Sequence, residues 1–197
     1  MTEFLEGISS DGRRVLEADL GNESPAVWVE RARKRGVELL WLHTRRDLSG
    51  DGFARFPGYV RLRAESPPRG DPLPQLPPGQ FAAAQDAAFR GRWGHKLVAA
   101  DAEPPVRAVV LGLYEPEELV GICTVFPADR LVDGPGVLPA GRTPEAYARL
   151  LLGACAELGP GTVAVDSWGD DPAVTAAYEE LGFTVVERSD GWERVLD

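Results

Sequence analysis

The side chains able to do chemistry in these 197 residues are few in kind. His43 and His95 lie far apart and no Cys-x-x-Cys occurs, so nothing has the spacing of a metal site. Cys123 and Cys155 both sit in apolar sequence, which suits buried reduced thiols better than a nucleophile or a disulfide. There is no Gly-x-Ser-x-Gly elbow, no Walker loop and no zinc-protease pair, so hydrolase, nucleotidase and metalloenzyme chemistry have no residues to carry them. Carboxylates and phenols remain, groups suited to proton transfer.

One phenol has a defined setting. Residues 162–183 read T-V-A-V-D-S-W-G-D-D-P-A-V-T-A-A-Y-E-E-L-G-F. Residues 162–166 alternate Val163 and Val165 with smaller residues, the pattern of a short buried strand. Asp171 is placed to cap a helix, because its carboxylate can accept from free amides of the first turn, and Pro172 falls at N1, where a missing N–H costs nothing. Val174, Ala177, Tyr178 and Leu181 then share one face, Gly182 ends the helix, and the next strand starts at Phe183. On spacing alone, Tyr178 packs this helix against a sheet.

The order of strand, capped helix, Tyr and Leu-Gly-Phe resembles the C-terminal half of the GNAT superfamily of acyl-CoA N-acyltransferases. The family pattern has Asn at the helix start, where this chain carries Asp171, then Tyr178, Gly182 and Phe183 in register. The resemblance implies an α/β (α+β) fold with a mixed, mainly antiparallel sheet flanked by helices. It further implies a sheet splayed between the strand near Val137 and the strand at residues 162–166, with the ligand site in the cleft. Tyr178 would then protonate the leaving CoA thiolate.

The resemblance also implies a pyrophosphate site. In the family a strand ending in Val-x-Pro leads into a glycine-containing turn and a helix, whose N-terminal amides hold the anion. Val137, Leu138, Pro139 and Arg142 stand at the matching places, and Thr143-Pro144 reads as a cap and N1 pair opening an amphipathic helix at residues 145–158. Val137, Leu138, Pro139, Arg142, Thr143, Ala146 and Asp171 are therefore the implied acyl-CoA contacts. The glycines do not follow: Glu145 and Tyr147 occupy their positions, and Pro144 removes a donor. Glu145 in the first turn would stabilise the helix by about 0.3–1 kcal/mol, and if it faced the cleft it would oppose an anion.

On the acceptor side, residues 80–97 give a helix with Phe81, Ala84 and Ala88 on one side, broken by Gly91 and Gly94. The resemblance makes Arg92, Trp93, His95 and Lys96 substrate contacts; the alternative is a helix end with solvated bases and one packed Trp. Ser167 and Trp168 either line the acceptor channel or close the core. Amine acylation needs a base for the ammonium, and Asp133 is the candidate, ahead of Asp129, Glu115 and Glu117; none is specific in a chain with 31 acidic residues.

Residues 14–64 repeat the element order of residues 130–196: strand, helix, strand, Gly-Phe, strand. This is similar to the tandem arrangement of mycothiol synthases, with residues 1–65 as a partial, degenerate GNAT-like unit lacking the Tyr-bearing helix; an unrelated αβ cap is the other reading. Residues 66–79 hold six prolines and form the linker, and residues 80–197 form the acyltransferase-like domain. About 64 residues bury too little surface to be safely stable alone, so the first unit is expected to pack on the second.

The net charge of −10 gives no broad basic surface for nucleic acid or anionic membrane and favours an amine partner, while any anionic ligand needs a local pocket. No apolar run reaches transmembrane length and the N-terminus lacks a basic, then apolar, leader pattern. A cytoplasmic N-acyltransferase using acetyl-CoA or another acyl-CoA on a small-molecule or protein amine, without metal, is the leading expectation. A GNAT-like acyl-CoA-binding or interaction module that has lost catalysis is the alternative.

Overall fold

The computed structural model describes residues 4–169 and 171–196; the first three residues of the N-terminal segment lie outside it. In chain order it has β1 (Phe4–Ile8), β2 (Arg14–Asp19), α1 (Pro25–Lys34), β3 (Leu39–Thr44), β4 (Ala54–Ala64), α2 (Phe81–Phe89), β5 (Val109–Glu115) and β6 (Glu118–Phe126). There follow β7 (Leu131–Val137), α3 (Pro144–Leu158), β8 (Val163–Trp168), α4 (Pro172–Glu180) and β9 (Thr184–Val195). Three helices start on one device, a capping side chain followed by proline. Ser24, Thr143 and Asp171 accept from the amides of Ala26, Ala146 and Ala173, satisfying donors that no helical carbonyl can reach.

The strands form one mixed, mainly antiparallel sheet in the order β1-β2-β3-β9-β4-β8-β7-β6-β5. Only β2 with β3 and β7 with β8 run parallel. The segments 1–65 and 80–197 interleave in it, because β4 lies between β8 and β9. The cores interleave as well. Leu62 and Ala64 of β4 pack with Leu150, Val165 and Tyr178 under α3 and α4, whereas Trp192 and Leu196 pack with Trp28 and Leu40 beneath α1. Leu62 is fully buried, a contribution of about 1.5–3 kcal/mol from the first segment to the core of the second.

Several elements depart from the sequence expectation. No strand is expected before residue 14, yet β1 pairs with β2 from Phe4–Ala18 to Ile8–Arg14. β9 begins where a strand is expected and continues unbroken to Val195, because β3 and β4 pair with it on both sides. β7 continues past Gly134-Pro135-Gly136; the irregularity is absorbed as a register shift opposite Ile122 and Thr124, with Gly134 at φ +50°. The proline-rich stretch is a docked strap. Leu76 donates to Val110, Gly112 donates to Pro74 and Gly70 donates to Leu152, so the strap covers edge strand β5, which would otherwise present open pairing groups. Leu73 seats over Gly153, where a Cβ would come within 2.4 Å of its Cγ. No helix among the described residues is long and apolar enough to cross a membrane.

Candidate active-site cleft

β7 and β8 pair at only three positions, Leu131–Ala164, Val132–Val165 and Asp133–Asp166. Beyond them the strands part, β7 toward Val137 and β8 toward Trp168, leaving a fork in the sheet. Parallel register puts Asp133 and Asp166 side by side on one face at its base. Tyr59 donates to Asp166 at 2.8 Å and Arg61 holds it through two bonds of 2.7 Å, so Asp166 is a neutralised structural carboxylate. Asp133 lacks that clamp. Burial first, and then the neighbouring Asp166 charge, push its carboxyl above the usual carboxylate range, while the Trp168 indole hydrogen-bonds it and opposes the shift.

Two cavities meet at the fork. The larger, about 700 Å³, runs along the sheet edge past Arg142, Thr143, Tyr147, Asp171 and Val174 and is closed on the far side by Trp41 and Phe56 of the N-terminal segment. The smaller chamber, about 230 Å³, holds Asp133, Thr124, Trp168, Phe89, His95 and Lys96. Arg92 and Trp93 line both. The structure thus gathers Asp133, Trp93, His95 and Trp168 around one chamber, and Arg142, Thr143 and Asp171 around the other cavity.

The loop after α2 is fixed by Trp93. Its ring stacks on Phe56 at 5.9 Å and 10°, lies 5.5 Å from Trp41 and 5.3 Å from His43, and fits only because Gly191 lacks a Cβ, which would stand 2.3 Å from the ring. His95 is held by Asp86 at 3.1 Å, and burial lowers its pKa. Lys96 pairs with Glu17, which also binds His43 Nε2 at 2.7 Å. Burial lowers the pKa of His43; its Nδ1 has no partner among the described residues, so a second proton there would be unsolvated. Lys96 is therefore a bridge to the N-terminal segment as well as a chamber wall.

The residues expected to hold a pyrophosphate are engaged within the chain itself. Arg142 donates to the carbonyls of Val137, Ala88 and Arg90 at 3.0, 3.1 and 2.6 Å, sewing the end of α2 to the end of β7. The Thr143 hydroxyl takes the Ala146 amide at 3.2 Å. Glu145 turns back on its own amide and on Thr143, which holds its pKa down. The first-turn amides are thus met from within, and N1 is a proline. The cavity has room for an extended ligand; of the arginines on its walls Arg92 and Arg142 hold carbonyls and Arg13 holds Asp11, and Asp11, Asp171 and Glu193 stand beside them.

The remaining expected residues spread out. Val137 is fully buried in the α3 core, Leu138 packs near α2 with its amide on Val120, and Pro139 lies exposed at the start of a single tight turn. Ala146 is buried behind its capped amide and Ser167 is buried within β8. Tyr178 is fully buried among Leu62, Val165 and Phe183 and lines neither cavity; Val174, one turn earlier, does. The wall given by Ser9, Asp11, Arg13, Trp41 and Phe56 went unread, because their place at the cleft follows from β4 and β9 pairing across the chain. Among the described residues no group of three His, Cys, Asp or Glu is placed to hold a metal.

No family model matches the chain, and no curated protein matches it. Solved structures do match. A GCN5-related N-acetyltransferase from Sphaerobacter thermophilus superposes with TM-score 0.61 at 12% identity, covering 98% of this chain and 76% of that one. A second, from Anabaena variabilis, gives 0.54 at 11%, covering 100% and 59%. A tandem GNAT protein from the clavulanic acid biosynthesis pathway gives 0.50 at 16%, covering 92% and 75%. At these identities the likeness establishes the fold, and the fold is that of the GNAT acetyltransferases.

Proposed function

We propose that the protein is an N-acyltransferase that receives an acyl group from acyl-CoA on the side of the larger cavity and delivers it to an amine in the smaller chamber. The observation that carries this reading is the fork between β7 and β8, with Asp133 at its base lining the chamber and Gly169, just past the end of β8, lining the larger cavity. Acyl-CoA supplies the activated thioester. The chain supplies position and proton transfer. Asp133, raised by burial, is the acceptor for the ammonium proton, directly or through one water; Trp168 and Thr124 bound the space in which the amine turns toward the fork. Backbone amides near Val137 would polarise the thioester carbonyl; Tyr178, buried one turn beyond the cavity wall at Val174, would protonate the departing sulfur only if donor binding opens the cavity to that depth.

Arg13, exchanging its Asp11 partner for an anion, and not a glycine turn, would meet the phosphates in this reading. Residues 1–65 take part as a degenerate GNAT-like unit that contributes a cavity wall and no catalytic group. Burial pushes the Cys123 thiol up to about 12 and Cys155 to about 11, so neither is suited to act as a nucleophile. Incubation with acetyl-CoA and a panel of small amines, read by thiol release, tests the proposal. Turnover with at least one amine, lowered by about 10²- to 10⁴-fold in Asp133→Asn, is the expected result.

A second reading has its own observation. The first turn of α3 is capped from within by Thr143 and Glu145, and Arg142 is committed to three carbonyls. Such a site suits a GNAT-fold module that has given up turnover. Acetyl-CoA binding without thiol release for any amine would favour it over the enzyme.

A further inference from the structure

We propose that Arg92 is a crossbar that closes the passage between the two cavities and must swing aside before donor and acceptor can meet. The inference rests on the acyltransferase reading, which requires thioester and amine to come together through the fork. Arg92 is 8% exposed. Its Nη1 donates to Pro135 O of β7 at 3.3 Å and its Nη2 to Trp168 O of β8 at 2.5 Å. One guanidinium therefore spans the two strands where they have stopped pairing with each other.

The planar fork of the side chain explains why this residue type does it. Two nitrogens held in one plane can reach two acceptors at once, which a single ammonium on a flexible stem does poorly. Carbonyls left facing a gap would cost energy if dry, so the guanidinium replaces the strand pairing that the fork removes. It is also held from its faces, 4.6 Å above Phe89 and 5.9 Å from Tyr147. The neighbouring Trp93, seated over Gly191, fixes the loop from which Arg92 reaches in. Arg92 and Trp93 are the residues common to both cavities, so the crossbar is also their dividing wall.

The closed arrangement lowers donor affinity by the fraction of molecules that are open. Arg92→Lys keeps the charge and most of the stem but cannot span both carbonyls; Arg92→Ala, checked for folding by its thermal transition, removes the bar altogether. Two measurements separate the crossbar from the enzyme reading. The first is hydrogen exchange at the Leu138 and Gly169 amides, which are bonded outward to Val120 and Gly58 and report on the two tips of the fork without any ligand. The second is acetyl-CoA affinity by calorimetry.

We expect Arg92→Lys to speed exchange at both tips and to bind acetyl-CoA at least about tenfold more tightly than the wild type, in line with a closed state that dominates by that factor. Unchanged exchange in both variants would show that the guanidinium does not hold the strands, and would overturn the crossbar while leaving the acyltransferase reading intact. Faster exchange with unchanged affinity would overturn the closing of the passage. Faster exchange with no acetyl-CoA bound by any form would overturn the acyl-CoA reading and the gating of it together.

Discussion

Asp133 carries opposite demands from stability and from chemistry. Its carboxyl is raised by burial, so the folded state binds its proton more tightly than the unfolded chain. Its favourable contribution is complete below the ordinary carboxylate pKa and is lost as pH rises through the raised value. At neutral pH the buried charge is a liability kept beside the chamber. Asp133→Asn should therefore raise the thermal midpoint at pH 7 while lowering turnover by about 10²- to 10⁴-fold; a lowered midpoint would show that the carboxylate is a structural partner. In the wild type, kcat/KM should fall with decreasing pH through an apparent pKa above the usual carboxylate range, because the base must be ionised. Tyr178→Phe tests the other proton. If the phenol is the acid, turnover drops roughly 10²-fold or more with acetyl-CoA affinity little changed; a changed stability with an unchanged rate would assign Tyr178 to packing alone.

Elements here are joined by residues whose importance shows only in the fold. Arg130 adopts φ +52° and donates to the carbonyls of Leu158, Gly159, Pro160 and Thr162, closing the C-terminal end of α3 against the start of β8. Arg130→Ala should cost about 1–3 kcal/mol, the scale of a lost charged hydrogen bond, measured as a shift in urea midpoint with unchanged slope. Gly191→Ala pushes a Cβ to within 2.3 Å of the Trp93 ring. Overpacking of this kind costs about 1–3 kcal/mol, and it should be accompanied by altered Trp fluorescence as the loop at residues 91–95 shifts; a silent substitution would mean that the loop is not anchored there. The helix starts were legible beforehand because Ser24-Pro25, Thr143-Pro144 and Asp171-Pro172 each state cap and first turn in adjacent residues. Gly191 was illegible because its requirement comes from a ring 98 positions away in sequence.

At the level of the molecule, the two segments share one sheet, in which β4 fills the place between β8 and β9. Expressed alone, residues 80–197 would leave β8 and β9 with unpaired edges and remove Leu62 and Ala64 from the α3 and α4 core. That fragment should show no cooperative unfolding transition; full thermal stability would make the first segment dispensable. The sequence by itself determined the parts whose causes are local: alternating valines for β8, cap and proline for α4, the Gly182 stop, and a Tyr-Leu-Gly-Phe spacing that pointed to this fold. It also placed Glu145 and Tyr147, after Pro144, where the pattern it resembles carries glycines. Tertiary structure decided what those residues face. Pairing between distant strands placed β4 inside the sheet, turned a proline-rich linker into an edge strap and brought a wall from the first segment to the cavity. It sent Arg142 to three carbonyls and laid Arg92 across the fork. Such outcomes depend on which buried polar groups are left without partners once the strands have paired, and that is settled only when the whole sheet is assembled.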